Sequence, residues 1–151
     1  PLDTGRRGTP RIALAACAHG VHLPSDGIPS SRLRAYAPKD FIIGRSVHSE
    51  EEAKEADSNG GVDYLVCGTI YPSQSKPGVT AAGISLLEVV SKAVTLPILA
   101  IGGVSKENIK ELAANGASGF AGISLFSGSV KDFLKTVNQT RLTFDSVKKV
   151  P

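Results

Sequence analysis

Apolar residues along this chain are gathered into short runs separated by polar stretches. Five of these runs are predicted as strands, at residues 20–23, 40–47, 62–70, 97–104 and 119–126. The last two, PILAIGGV and GFAGISLF, are almost entirely apolar, which is typical of strands in a parallel sheet covered by helices. The stretches between the runs carry helix signals. The pattern therefore predicts strands that alternate with helices.

Helices are predicted in the intervening stretches. They cover 11–18, 30–37, 49 to about 59, 84–94, a segment capped by Ser105 that ends at Asn115–Gly116, and 130–137. Ser49 and Glu52 have the spacing of a capping box, and Asn59 followed by two glycines is a helix-ending signal. This alternation predicts an α/β fold with parallel strands and right-handed crossovers in one domain over residues 1–151.

One connection is longer than the others. Residues 71–83 add about a dozen residues to an otherwise regular spacing, and loops of this length in α/β units are often functional. The loop offers the hydroxyls of Ser73, Ser75 and Thr80 and the cation of Lys76. Such groups suit phosphate or pyrophosphate oxygens, although a solvated surface loop has the same composition.

The glycine pair Gly102–Gly103 falls where the fourth predicted strand ends. Glycine lets backbone amides approach a ligand closely because it has no Cβ. In (β/α)₈ barrels the loops after the last two strands often form a phosphate site. We therefore expect a phosphorylated small molecule here, and the alternative is a buried strand that ends in a flexible turn. Gly103→Asp is expected to abolish binding and leave the fold intact.

Composition narrows the function classes. The chain has 151 residues, a net charge of +3, 5% aromatic residues and no Trp, and its basic residues form no stripe, which argues against nucleic-acid binding. No apolar run approaches the length of a membrane span, so no membrane partner is expected. Cys17 and Cys67 form no ligand pattern and are interpreted as core thiols of a cytoplasmic protein.

Several motifs together resemble those of the thiamine phosphate synthase/TenI superfamily. They occur in the family's order as GVHLPSD, IIGRSVHSEEEA, DYLVCGTIYPSQSK, PILAIGGV and GFAGISLF, within residues 11–130. The resemblance implies a (β/α)₈ TIM barrel of which this chain supplies about strands four to eight. The first three strands would then precede Pro1, an expectation that agrees with the absence of Met from the sequence.

The resemblance also implies roles for single residues. Ser46 matches a serine that contacts pyrophosphate, and Lys76 matches a lysine that orients it as it leaves. The residues implied to bind substrate or phosphate groups are Ser73, Ser75, Lys76, Gly102, Gly103, Ile123 and Ser124. The implied ligands are a small phosphorylated thiazole and, in a synthase, a pyrimidine diphosphate. The sequence does not decide whether the protein forms a homo-oligomer.

Two departures from the family pattern affect the reaction. Synthases hold Mg²⁺ with two aspartates, and Gly27 stands where one of them is expected, with Asp26 one position early. This departure argues against synthase activity, and the segments SVHSEEEA and KPGVTAAG are more similar to the TenI branch, the thiazole tautomerases, which need no metal. The histidine expected in that branch is Thr69, however, and threonine is a poor general base.

The candidate catalytic residues are Lys76, Ser46 and His22. An ordinary histidine titrates near neutral pH, so His22 or His48 could move a proton, although a structural role is the favoured interpretation of each. The alternatives are a Mg²⁺-dependent thiamine phosphate synthase that displaces pyrophosphate, a phosphate-binding or regulatory homologue without turnover, and an unrelated, complete doubly wound domain.

Overall fold

The computed structural model describes residues 9–73, 78, 80–127 and 129–148. Its centre is one sheet of five parallel strands that lie side by side in chain order. The strands are β1 (Gly20–Leu23), β2 (Ile42–Val47), β3 (Tyr64–Cys67), β4 (Ile98–Ile101) and β5 (Gly119–Ala121). The predicted α/β class with parallel strands is confirmed.

Helices connect the strands as predicted. They are α1 (Thr9–Ala15), α2 (Ser30–Arg34), α3 (Glu50–Asn59), α4 (Ile84–Ala93), α5 (Ile109–Ala114) and α6 (Val130–Lys148), with a short 3₁₀ turn over Ser124–Phe126. The α3 start follows the capping prediction, because the Ser49 hydroxyl accepts the backbone N–H of Glu52 at 3.2 Å. Gly60, just after α3, has φ of 68°, a positive value that glycine adopts readily because it has no Cβ.

Alternate residues of the strands form the core with the helices. Leu65 and Cys67 of β3 are completely buried, as are Leu87 of α4 and Leu112 of α5. Truncating a buried leucine of this kind to alanine typically costs about 2–5 kcal/mol. A smaller cluster around Ile43 joins β1 and β2 to α2. The helices thus cover one face of the sheet.

The opposite face of the sheet is much more open. Successive side chains of a strand point to opposite faces, so Ile42, Gly44 and Ser46 share this face of β2. Ile42 is 50% exposed, and Tyr64 and Val66 of β3 are only partly buried. The face carries apolar side chains that the described part of the chain leaves partly uncovered.

Several element predictions were wrong in detail. Ser105 does not cap α5, which begins at Ile109 after Asn108. The predicted last strand divides after Ala121, so that Ser124 lies in the 3₁₀ turn. The predicted short helix from Val130 extends to Lys148.

One side-chain interpretation is corrected by the packing, and one acidic side chain joins two elements. Cys17 is exposed rather than a core thiol, whereas Cys67 is buried and burial raises the pKa of its thiol to about 12. Asp63 lies directly before β3 and is exposed. It pairs with Arg34 at 2.5 Å and accepts the backbone N–H of Ile43 at 2.6 Å, which ties α2 to the start of β3. No helix in the described ranges is long and apolar enough to cross a membrane.

Candidate functional site

The carboxyl ends of parallel strands meet at one edge of a sheet, and this edge carries the candidate site. Two cavities lie next to each other there. The first, named here the glycine cavity, has a volume of about 300 Å³. Its lining comes from the ends of β3, β4 and β5 and consists of Thr69, Pro72, Ser73, Ile101, Gly102, Gly103, Val104, Ser105, Ala121, Gly122, Ile123 and Ser124.

Close contact between two loops explains the glycine pair. Gly102 has φ of +101°, and a Cβ there would lie 2.4 Å from Thr69 Cγ2. Gly103 has φ of +59°, and a Cβ there would lie 2.4 Å from the carbonyl oxygen of Pro72. Any side chain at either position therefore has to move the loop after β3. Gly103→Asp would therefore strain this region of the fold as well as the binding site.

Backbone hydrogen bonds hold the same two loops together. The N–H of Ile70 donates to the carbonyl of Ile101 at 2.9 Å, and that of Tyr71 donates to the carbonyl of Gly102 at 3.1 Å. The first part of the loop after β3 therefore continues the pairing between β3 and β4 beyond their ends. This places the wall of the glycine cavity on a rigid base.

Asn108 fixes the other side of the glycine loop. Its Nδ2 donates to the carbonyl of Gly103 at 3.0 Å, and its Oδ1 accepts the N–H of Ser105 at 2.9 Å. One side chain thus closes the turn between β4 and α5. Sequence reasoning assigned a cap to Ser105 and overlooked Asn108, although the three-residue spacing between them is the available signal.

Tyr71 tethers the loop after β3 to α5. Its phenol donates to a Glu111 carboxylate oxygen at 2.6 Å. Burial and the hydrogen bond to Glu111 raise the pKa of the Tyr71 phenol, so it stays protonated as a donor at neutral pH.

The second cavity, named here the histidine cavity, has a volume of about 310 Å³. Its lining comes from β1, β2, β3 and the inner sides of β4 and β5, and consists of His22, Ser46, His48, Tyr64, Val66, Gly68, Thr69, Leu99, Ile101 and Ala121. Thr69, Ile101 and Ala121 line both cavities. The two spaces therefore meet at these three residues.

His22 and Ser46 are brought into direct contact by the pairing of β1 with β2. His22 Nε2 lies 2.8 Å from Ser46 Oγ, and the imidazole stacks on the ring of Tyr64 with centroids 5.8 Å apart. His22 is exposed by area, yet the cavity walls reduce its hydration enough that burial lowers its pKa from the ordinary value of 6.5. The imidazole therefore favours the neutral form in the free protein.

His48 is held by two hydrogen bonds, one from its imidazole and one from its backbone N–H. Its Nδ1 bonds to the carbonyl oxygen of Gly68, and its backbone N–H donates to the Glu52 carboxylate at 2.7 Å. A carbonyl only accepts, so Nδ1 carries a proton. The favoured structural interpretation of His48 agrees with these contacts, and its ring still forms part of the cavity wall.

The loop after β1 contains Asp26 and Gly27. It makes a tight turn, with the N–H of Gly27 donating to the carbonyl of Pro24 at 3.0 Å. The guanidinium of Arg45 donates to the carbonyls of Ser25 at 2.7 Å and of Ile28 at 2.9 Å. A Cβ at Gly27 would lie 2.9 Å from the Pro24 carbonyl, so an aspartate there requires a local adjustment.

The predicted site residues divide between the two cavities. Ser46 and His22 line the histidine cavity, whereas Ser73, Gly102, Gly103, Ile123 and Ser124 line the glycine cavity. Ser75 and Lys76 lie outside the described residues. Sequence reasoning missed Tyr64, whose place on the same sheet face as its neighbours follows from strand alternation and pairing.

The described residues contain no preformed cluster of metal ligands. No carboxylate is among the described residues that line either cavity. The described ranges also contain no group of three or more His, Cys, Asp or Glu side chains arranged to hold a metal ion. Mg²⁺ requires oxygen ligands in near-octahedral geometry, and the hydroxyl and backbone oxygens here do not supply a carboxylate set.

Comparison with known proteins gives consistent relatives. The family model described as thiamine monophosphate synthase (TMP-TENI) matches residues 7–126. A thiamine-phosphate synthase of Pyrococcus horikoshii is 42% identical over 118 residues, which make up 78% of this chain and 56% of that protein. One from Methanospirillum hungatei is 46% identical over 114 residues, or 75% of this chain and 55% of that protein.

A solved structure is similar over most of the fold. It is described as a thiamine phosphate pyrophosphorylase from Pyrococcus furiosus and aligns with a TM-score of 0.76 and 35% identity. The alignment covers 91% of this chain and 65% of that chain. This chain thus spans between about half and two thirds of the length of these relatives.

Proposed function

Because the chain belongs to the thiamine monophosphate synthase family (TMP-TENI), we propose that its two cavities form the substrate-binding site of a thiamine-phosphate synthase. The reaction joins a pyrimidine diphosphate to a thiazole phosphate and releases pyrophosphate. Relatives at 42% and 46% identity bear the synthase name, which supports the synthase over the tautomerase that the sequence motifs favoured. The Thr69 hydroxyl in both cavity linings supports the same choice, since it is a poor base for a tautomerase.

The observation that carries the proposal is the junction of two cavities at one rim. The glycine cavity suits the phosphate of the thiazole, because glycine turns and the hydroxyls of Ser73 and Ser124 offer hydrogen-bond donors. The histidine cavity suits a flat pyrimidine ring beside the aromatic pair His22 and Tyr64, with Ser46 near its diphosphate. Two ligands seated in this way would meet beside Thr69, where the transfer would occur.

This site does most of its work by positioning. The residues on β1 and β2 orient the diphosphate as its bond to the pyrimidine methylene breaks. The glycine loop holds the thiazole phosphate so that its ring faces that methylene. Lys76 supplies a cation to the departing pyrophosphate in this proposal, and Ser75 assists it, as the family resemblance implies. A synthase would also use Mg²⁺, for which the described residues of the two cavity linings offer no carboxylate ligand.

The open face of the sheet supports closure into a barrel. Ile42, Tyr64 and Val66 form a partly exposed interior wall on β2 and β3, opposite the helix-covered face. In a (β/α)₈ barrel these residues would point into the packed centre. We therefore assign the five strands to positions four to eight of such a barrel.

The proposal is tested by assaying the protein for thiamine phosphate formation and, in parallel, for thiazole tautomerisation. We expect pyrophosphate release with both substrates present, lowered by Ser46→Ala and unchanged by Ser58→Ala, an exposed serine on α3. Lys76→Ala should lower the synthase rate more than any tautomerase rate. Tautomerisation without thiamine phosphate formation would contradict the proposal.

A phosphate-binding homologue without turnover is the second candidate. It is favoured by the lack of carboxylates among the described cavity-lining residues and by Gly27 in the place of the expected aspartate. Binding of both substrates with no product of either reaction would support this alternative.

A further inference from the structure

The histidine cavity offers few ways to balance the charge of an anion. Its described lining contains no Lys, Arg, Asp or Glu side chain. The titratable groups that face it are His22 from β1, His48 from the end of β2 and Tyr64 from β3. Glu52 of α3 accepts the backbone N–H of His48. A histidine proton is therefore the one source of positive charge within the described lining.

The contact between His22 and Ser46 couples the protonation of His22 to the direction in which the Ser46 hydroxyl donates. A neutral Nε2 without hydrogen accepts the Ser46 O–H, which turns the hydroxyl hydrogen away from the cavity. A protonated imidazole instead donates Nε2–H to Ser46 Oγ across the same 2.8 Å contact. The hydroxyl hydrogen is then free to donate to an anion, and the ring carries a positive charge beside it.

We propose that an anion bound beside Ser46 draws a proton from solvent onto His22, so that the His22–Ser46 pair becomes a charged donor unit. The proposal rests on the function above, in which the diphosphate of the pyrimidine substrate is that anion. His22 acts through Ser46 and is thus a positioning residue. The only covalent bond that forms is the bond between His22 Nε2 and the proton taken from solvent.

The state of His22 in the free protein makes this coupling measurable. Burial lowers the pKa of His22, so the site is mostly neutral near pH 7 before an anion binds. The anion favours the protonated ring and raises that pKa. By linkage, anion affinity then increases as the pH falls through the range in which His22 titrates.

Histidine titration followed by NMR tests the proposal, because the chain has only three histidines. The ring signals of the protein are recorded from pH 5 to about 8.5 with sodium sulfate or with sodium chloride at equal ionic strength. Sulfate is chosen because it does not titrate in this range. We expect sulfate to raise the His22 midpoint by about one pH unit, which corresponds to a tenfold preference for the protonated ring.

Variants and an internal control separate the possible outcomes. His19 precedes β1 at the other end of the strand and should keep its midpoint. Ser46→Ala should reduce the His22 rise, and His22→Asn should remove the pH dependence of sulfate affinity. An equal rise for all three histidines would show general screening and overturn the proposal.

The test also distinguishes this inference from the function on which it rests. Sulfate-induced changes at the Gly103 and Ser124 amides with an unmoved His22 midpoint would overturn the coupling and leave the phosphate site standing. No response at either place would count against both.

Discussion

The glycine cavity and the histidine cavity share one rim but are built in different ways. The first is formed by tight backbone turns whose shape requires glycine at 102 and 103. The second is lined mainly by side chains that project from the five strands. A backbone site keeps its form and charge across pH, whereas a side-chain site responds to protonation. We infer that the rim combines a fixed phosphate holder with an adjustable anion site.

The largest expected effect tests whether close backbone approach defines the glycine cavity. Gly103→Ala should lower the free energy of unfolding by about 3–5 kcal/mol, because it adds strain at positive φ to a clash with the Pro72 carbonyl. Gly60→Ala is the matched control, since Gly60 also has positive φ but open space around it. It should cost only about 1–3 kcal/mol in urea unfolding. Equal losses would show that contact between the loops does not matter.

A charge at the edge of the glycine cavity should affect binding without straining the backbone. Ile123 is 73% exposed, has φ of −70° and lines this cavity. Ile123→Asp should weaken thiazole phosphate binding at least about tenfold through like-charge repulsion. Ile123→Asn has the same shape without the charge and should bind within a few-fold of the native protein. If calorimetry shows that both variants bind equally well, the phosphate does not bind in the glycine cavity.

Loss of the Asn108 hydrogen bonds, which hold the turn after Gly103, should have a moderate effect on stability and binding. Asn108→Ala removes two hydrogen bonds, and we expect a loss of about 1–2 kcal/mol in stability and several-fold weaker thiazole phosphate binding. Asn115→Ala removes a hydrogen bond from a partly buried asparagine to the Glu111 carbonyl and is the control. It should leave binding unchanged. A binding loss of the same size in Asn115→Ala would indicate a general weakening of α5.

The smallest effect concerns the response of the histidine cavity to pH. The pKa of His22 is lowered in the folded state, so the unfolded chain takes up more protons as the pH falls. The stability linked to His22 is therefore complete above pH 6.5 and declines as the pH falls through the lowered folded pKa. Urea unfolding between pH 7.5 and 5 should show a steeper decline in the native protein than in His22→Asn. The same slope in both would contradict this assignment.

Most of the sheet could be predicted because apolar runs and glycine signals are local. The β1 bounds agree with the predicted run, and the α3 start follows from Ser49 and Glu52. The interruption after Ala121 was harder to predict, since an apolar sequence such as GISLF is compatible with a strand or a 3₁₀ turn. The long α6 was underestimated because its polar residues give a weak helical pattern.

The candidate site was predictable residue by residue but not as an arrangement. His22 and Ser46 were predicted separately. Their hydrogen bond depends on the register between β1 and β2, which cannot be read from the local sequence around either residue. Asn108 was missed for a similar reason, since its two partners become adjacent only when the turn after β4 closes.

Backbone NMR with thiazole phosphate examines the division of labour between the two cavities. The amide signals of Gly102, Gly103, Ile123 and Ser124 should shift in a saturable way, while those of His22 and Ser46 change little until a pyrimidine diphosphate is added. The largest shifts at His22 and Ser46 with thiazole phosphate alone, or shifts only at the amino ends of the strands, would contradict a phosphate site in the glycine cavity.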